Sequence, residues 1–287
     1  MTIHSQHDEL NRQLQSIGTE DKTVILIADQ AALAHHKTFG KFAHPRAAHN
    51  LLHESATAFD GASPLVIDIT NLPGNKHAAF QLDALLDAAK WACGLSVVVT
   101  PLSFPDALVQ LRARCIVTLP DNLDMVLRYF DTRILPVLLW ALDPAQRAAF
   151  TAMSSAWLYL DRDGTWCAAD IPTTHAAAKP VPPLRLSSSQ QDALINAGEC
   201  DAVLNRLRTI QCQPLLAMTA PEQYRQVAVL VAKAHALGIQ ATATVALFCA
   251  IELSQAKQLE TNPAWQKGLC EVRDKTKTFD ELLKELA

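Results

Sequence analysis

The sequence predicts an α/β N-terminal lobe, its mainly parallel or mixed sheet covered by helices, followed by an all-α C-terminal helical bundle. Three observations carry that expectation. Short apolar runs alternate with helix-periodic segments through the first half, a proline-rich stretch interrupts the middle, and every periodic segment beyond it is helical. The apolar runs are continuous rather than alternating, as in strands covered on both faces when crossover helices pack on a sheet.

Val24-Ile25-Leu26-Ile27-Ala28 is a β-branched run ending at Asp29, and reads as the first strand. Arg46 to Ala58 has helical spacing, with Leu51, Leu52 and Phe59 on one side. Pro64 to Ile69 is a second buried strand, closed by the turn signal Leu72-Pro73-Gly74-Asn75. From His77 to Trp91 the positions Phe80, Leu82, Leu85, Leu86 and Ala89 recur at helical intervals. Leu95 to Val99 is a third strand, Ser103 to Leu111 a helix, and Cys115 to Leu119 a fourth strand. Leu123 to Phe130 reads as a strand leading into a helix that Asp131 can cap. Asp143-Pro144-Ala145-Gln146 starts another helix, with the acid at the N-cap, proline at the first helical position and glutamine able to reach back. Trp157 to Trp166 is a hairpin signature: Asp163-Gly164 in the turn and aromatics on both arms.

Residues 171–186 hold Pro172, Pro180, Pro182 and Pro183 with little periodicity. They read as a stiff linker between a 1–170 lobe and a 187–287 lobe. In the second lobe Ser187 to Gln190 and Thr219 to Glu222 are capping boxes. Gly238 closes one helix, Thr242 to Leu259 forms another, and Phe279 to Leu286 the last.

Apolar residues make up 49% of the 287 and charged residues 19%, with a formal net charge of −4. Such a chain has ample core material and no basic stripe for phosphates, which argues against nucleic-acid partners. The polar stretch from Met1 to Gln15 does not read as a secretory signal, and no membrane span is expected because no window is apolar enough. Seven dispersed cysteines without a CxxC suit a reducing compartment, so a cytoplasmic protein is expected.

Patterns with a known chemistry are missing: no P-loop, GxGxxG, GxSxG or HExxH occurs. No catalytic residue, cofactor site or metal site is assigned, and the chain is expected not to be an enzyme. Two constellations remain. Five of ten histidines (His35, His36, His44, His49, His53) cluster, and His49 and His53 stand four apart on the expected helix, a metal-compatible spacing or else a polar helix face. Arg128 and Arg133 flank Asp131 and can pair with its carboxylate to fix the junction there. Trp140, Trp157, Tyr159 and Trp166 supply core area nearby, and any of them left exposed would be a natural anchor for a partner.

The runs Leu127 to Leu135, Ala141 to Gln146 and Trp157 to Trp166, followed by Leu184 to Gln190, Ala236 to Ile239 and Asn262 to Trp265, resemble the type VI secretion effector-chaperone family, the Tap or TEC adaptors. Thr132 stands where that pattern has proline, and Gln110-Leu111-Arg112 where it has His-Leu-Arg. The resemblance implies an α/β lobe and a helical lobe without catalysis. It implies a cognate effector as partner, bound in a groove or on an exposed apolar face, and assistance in loading that effector onto the VgrG spike protein. It marks Arg128, Asp131, Arg133, Trp157 and Trp166 as pattern positions, structural or effector-binding. An immunity-type or regulatory binding protein, or a metal-dependent enzyme using the His35–His53 region, are the alternatives.

Overall fold

A computed structural model describes residues 6–33, 48–52, 63–71, 82–87, 89–172 and 183–286. The chain divides into two compact units, Met1–Leu194 and Ile195–Ala287. In the first, the elements in order are α1 (Gln6–Ile17), β1 (Thr23–Ala28), α2 (Gln30–Leu33), β2 (Ala48–Asn50), β3 (Leu65–Asp68) and α3 (82–87). Then come β4 (Leu95–Thr100), α4 (Phe104–Ala113), β5 (Ile116–Thr118), β6 (Asp124–Val126), α5 (Leu135–Ala141), α6 (Pro144–Thr151), β7 (Ala156–Leu160), β8 (Trp166–Ala168) and β9 (Leu184–Arg185).

Among the described residues six strands form the main sheet in the order β2-β3-β1-β4-β7-β8, and every pairing in it is antiparallel. The expected mainly parallel arrangement is therefore corrected. Continuous apolar runs report that both faces are covered, which holds here, but they carry no information on strand direction. The crossover signature is half right: β3 and β4 run the same way and α3 lies between them in sequence, yet β1 is inserted between them as an antiparallel neighbour of both.

One face carries Val24, Leu26, Ile67, Val97 and Leu158 under α1 and α3, which contribute Leu10, Leu82, Leu85 and Leu86. The other carries Ile25, Ile27, Val66, Val98 and Trp157 under α4, α5 and α6, through Leu111, Leu138 and Phe150. Alternate residues of β1 thus enter different cores, which is why the run shows no alternation.

The expected fourth strand, β5, lies outside the main sheet. It makes a small second sheet, antiparallel with β6 and parallel with β9. The expected strand over Leu123 to Phe130 shortens to β6, and the expected helix over Arg46 to Ala58 is not formed at 48–50, which pair with β3 as β2. Its remaining residues fall largely outside the described ones. The hairpin is as expected: β7 and β8 are antiparallel, and the Asp161 carboxylate accepts from the N–H groups of Asp163 and Thr165 at 2.9 and 2.8 Å. At α6 the Asp143 carboxylate accepts from Gln146 N–H at 2.8 Å, and the Gln146 side-chain oxygen Oε1 accepts from Asp143 N–H at 3.1 Å.

Of the expected linker, residues 173–182 lie outside the described residues, while Leu184–Arg185 is β9. The division between the units falls inside α7 (Ser188–Thr209), whose start is capped reciprocally by Ser187 and Gln190. The second unit continues with α8 (Gln213–Leu216), α9 (Ala220–Ala236), α10 (Thr242–Glu260), α11 (Pro263–Arg273) and α12 (Phe279–Leu286). Its described residues from 195 on contain no strand. Gly238, at φ +80°, ends α9: its N–H donates to His235 C=O at 2.9 Å, and that of Ile239 donates to Ala234 C=O at 3.0 Å. Phe279 anchors the core, edge-on to Phe248 and Trp265 at 5.7 and 6.0 Å between centroids.

Two helical glycines test this packing in opposite directions. A Cβ at Gly268 would lie 2.1 Å from Leu282 Cδ1, whereas one at Gly198 would meet nothing within 4 Å. Alanine gains about 1 kcal/mol of helix propensity at either site, but overpacking costs about 1–3 kcal/mol. Gly198→Ala is expected to raise the thermal midpoint and Gly268→Ala to lower it, measured by circular dichroism.

Candidate functional site

The polar centre of the first unit lies where β1 and β7 end and β4 begins. Asp29, directly after β1, is 0% exposed. Its N–H donates to Gly94 C=O at 2.8 Å, extending the β1–β4 pairing by one residue. One carboxylate oxygen accepts from Ala31 N–H at 3.0 Å, ordering the first turn of α2. The other accepts from the Arg128 guanidinium at 2.8 Å. Arg128, whose side chain is 44% exposed, also lies 4.0 Å from the Asp131 carboxylate and 5.7 Å from the Phe130 ring centroid.

Asp131 is gripped from its other side. Arg133 donates from Nε at 2.8 Å and from a terminal nitrogen at 2.6 Å, one to each carboxylate oxygen, and its backbone N–H adds a bond of 3.0 Å. Of the two arginines expected to pair with Asp131, Arg133 does so through two parallel bonds, while the hydrogen bond of Arg128 goes to Asp29. The expected cap does not form: the residue before α5 is Ile134, and the Asp131 carboxylate turns back to Arg133 instead. Thr132 completes the clamp, its N–H donating to Cys93 C=O at 3.0 Å and its hydroxyl to Leu160 C=O at 2.6 Å.

Two acids and two arginines thus alternate along one seam. Guanidinium groups keep their protons, so Arg128 and Arg133 cannot shuttle one. The seam holds the 128–133 segment against the sheet end, with the outer side of Arg128 open to solvent.

Adjacent to it, Tyr129 enters the core. Its hydroxyl donates to Leu111 C=O at 2.9 Å, and its ring meets Phe130, Phe150 and Trp157 edge-on at 5.6 to 5.9 Å. Trp157 and Trp166 are both buried, the latter with its indole N–H on Gln6 C=O at 3.2 Å. These two pattern positions are therefore core residues. Trp140 on α5 is the exposed one, at 73%. A second apolar exposure lies on the small sheet, where Met125 and Val126 of β6 and the preceding Leu123 are exposed. Leu119 N–H donates to Leu123 C=O and Leu127 N–H to Cys115 C=O. The main chains of Leu123 and Leu127 therefore face β5, and by alternation those of Asp124 and Val126 face outward. Among the described residues β6 is an edge strand.

His49 stands on β2 rather than on the expected helix, its ring 5.2 Å from that of Phe104. His35, His36, His44 and His53 lie outside the described residues. The cysteines among the described residues are free thiols, and burial pushes Cys115 and Cys249 up to about 12. Asp29 is the residue whose part the sequence does not announce, whereas Trp140 is the one of the four aromatics that meets the condition set for an anchor. Asp29 carries the single local signal of an acid ending an otherwise apolar strand.

The class defined by these features is an α/β unit with a two-sided antiparallel sheet, followed by an all-helical unit. Residues 25–149, which include Asp29 and the whole clamp, match the family model described as "Domain of unknown function (DUF4123)". No curated protein and no solved structure matches the chain.

Arg128→Ala is expected to cost about 2 kcal/mol in denaturant unfolding. That is below the roughly 3–5 kcal/mol of a fully buried pair, because Arg128 is half exposed. Asp29→Ala should be costly too, and a double-mutant cycle should show coupling of at least about 1 kcal/mol. A thiol at about 12 is ionised to roughly one part in ten thousand at pH 8. Ellman's reagent is therefore expected to modify exposed Cys270 in the native protein, and Cys115 and Cys249 only on unfolding.

Proposed function

We propose that the chain is a non-catalytic chaperone or adaptor that binds a type VI secretion effector in the cytoplasm and assists its loading onto the VgrG spike. The observation that carries this reading is an agreement over one stretch of chain. The motif runs Leu127 to Leu135 and Ala141 to Gln146 lie within the segment matched by the domain model, and that domain family is associated with adaptors of type VI secretion effectors.

The geometry of the first unit supports a role in binding. Its polar residues are spent on holding backbone, and the side chains left over at the surface are those that grip protein. Trp140 and, on β6 and just before it, Met125, Val126 and Leu123 are large, apolar and exposed, the chemistry of interface anchors. Among the described residues no helix is long and apolar enough to cross a membrane. A partner delivered from the producing cell's interior fits that finding.

Deleting this chain from the producing strain is expected to abolish delivery of one effector while the others are delivered normally. The tagged protein should hold that same effector through size-exclusion chromatography. Trp140→Asp is expected to weaken the complex about tenfold or more, the scale of losing one aromatic anchor, with an unchanged thermal midpoint. Normal delivery of every effector by the deleted strain would refute the proposal, and rescue of cells from a toxin by occlusion alone would favour an immunity protein.

A further inference from the structure

Arg114, just past α4, is a cation with no acid against it among the described residues. It is 3% exposed. Nε donates to Phe150 C=O at 2.6 Å; one terminal nitrogen donates to the main-chain and side-chain oxygens of Gln110 at 2.7 and 2.9 Å; the other donates to Ala149 C=O at 3.1 Å. A guanidinium has five N–H bonds, so these four leave one over. No carboxylate lies within 4 Å among the described residues. Arginine this deeply buried is rare unless paired, because carbonyl oxygens solvate the charge without neutralising it. Burial draws the group down to about 10, which still leaves it charged at neutral pH.

Arg114 lines a cavity of about 590 Å³ together with Thr118, Asp124, Phe150, Leu184 and Arg185, between the small sheet and α6. Arg185 is exposed, and among the described residues its guanidinium reaches only the neutral side chain of Asn122, at 3.4 Å. Asp124 is the one acid in the lining, and it accepts from the Thr118 hydroxyl at 2.7 Å rather than from either arginine. Two cations against one anion leave the lining one positive charge in excess. The chain's own stretch leading to Pro183, residues 173–182, contains no Asp or Glu.

We infer that this cavity binds one carboxylate of a polypeptide partner, an acidic side chain or a chain terminus, with Arg114 at its floor and Arg185 at its rim. A single excess charge suits a monoanionic carboxylate better than a phosphate dianion. Phe150 and Leu184 give the apolar walls that a peptide requires. The outward-facing main chain of Asp124 lets an extended segment add to β6. The residue of that segment opposite Asp124 then shares its face, the face of the cavity. The inference rests on the adaptor reading only for the carboxylate being borne by a polypeptide.

The test is an NMR titration of the full chain with labelled arginine, following the Nε–H resonance of Arg114. The probes are acetyl-Gly-Gly-Gly with a free terminus, acetyl-Gly-Glu-Gly-amide, acetyl-Gly-Gln-Gly-amide and inorganic phosphate. At least one acidic peptide should give a saturable shift with a Kd on the order of 1 mM, and which one does so separates terminus from side chain. The Gln peptide should give none. Arg185→Glu, an exposed site whose change leaves the core intact, is expected to weaken the response at least tenfold without lowering the thermal midpoint. Silence from both acidic peptides up to about 20 mM, an equal response to the Gln peptide, a tighter response to phosphate, or full binding by Arg185→Glu would each overturn the assignment. Any of these results leaves the effector-delivery assay, and the adaptor reading it tests, standing.

Discussion

A carboxylate with no access to water stands at the end of the central strand, and its requirement for a cation organises the chain around it. Asp29 is wholly buried, so an unmatched charge there would cost several kcal/mol. Arg128 supplies the match from 99 residues away. Because the next residue is Tyr129, satisfying the carboxylate also delivers a tyrosine to the middle of the second core, where its hydroxyl finds Leu111 and its ring meets three others. The pair Asp131–Arg133 and the two bonds of Thr132 then keep the segment from swinging away. Electrostatics at one end of the sheet thus sets the packing on one of its faces.

What could be read from the sequence, and what could not, divides along the range of the interactions. Local devices were legible: the capping pairs at Asp143 and Ser187, the Asp161–Thr165 turn and the glycine after α9 each act within a few residues. Burial was legible too, since Val24 to Ala28 and Leu95 to Val99 admit no polar side. Direction and partnership were not. A strand buried on both faces looks the same whichever way its neighbour runs, and the three residues of β2 are too few for any period to show. Asp131 with Arg133 could be anticipated because they are two apart. Asp29 with Arg128 has no such local trace, and Arg114 shows its character only once the absence of an acid around it is known.

The small sheet and the main sheet solve the problem of open edges differently. In the main sheet, among the described residues, the longer strands lie inside and the edges are three-residue segments, β2 and β8, a common way to blunt unwanted pairing. In the small sheet β6 keeps outward-facing amides with apolar side chains beside them. An edge left in that condition costs a protein solubility and exposes it to aggregation, which fits a surface that is covered when the protein is at work.

The insertion of β1 between β3 and β4 has a bearing on how this chain comes off the ribosome. Thr23 pairs with Thr100 and Ala28 with Leu65, so β1 is synthesised before either of its two neighbours. Until some 75 further residues have emerged, Val24 to Ala28 has no second neighbour and neither core can close. Contacts so distant along the chain slow folding. A protein read as a guardian of another polypeptide therefore passes through a nascent stage in which its own most apolar strand stands unguarded.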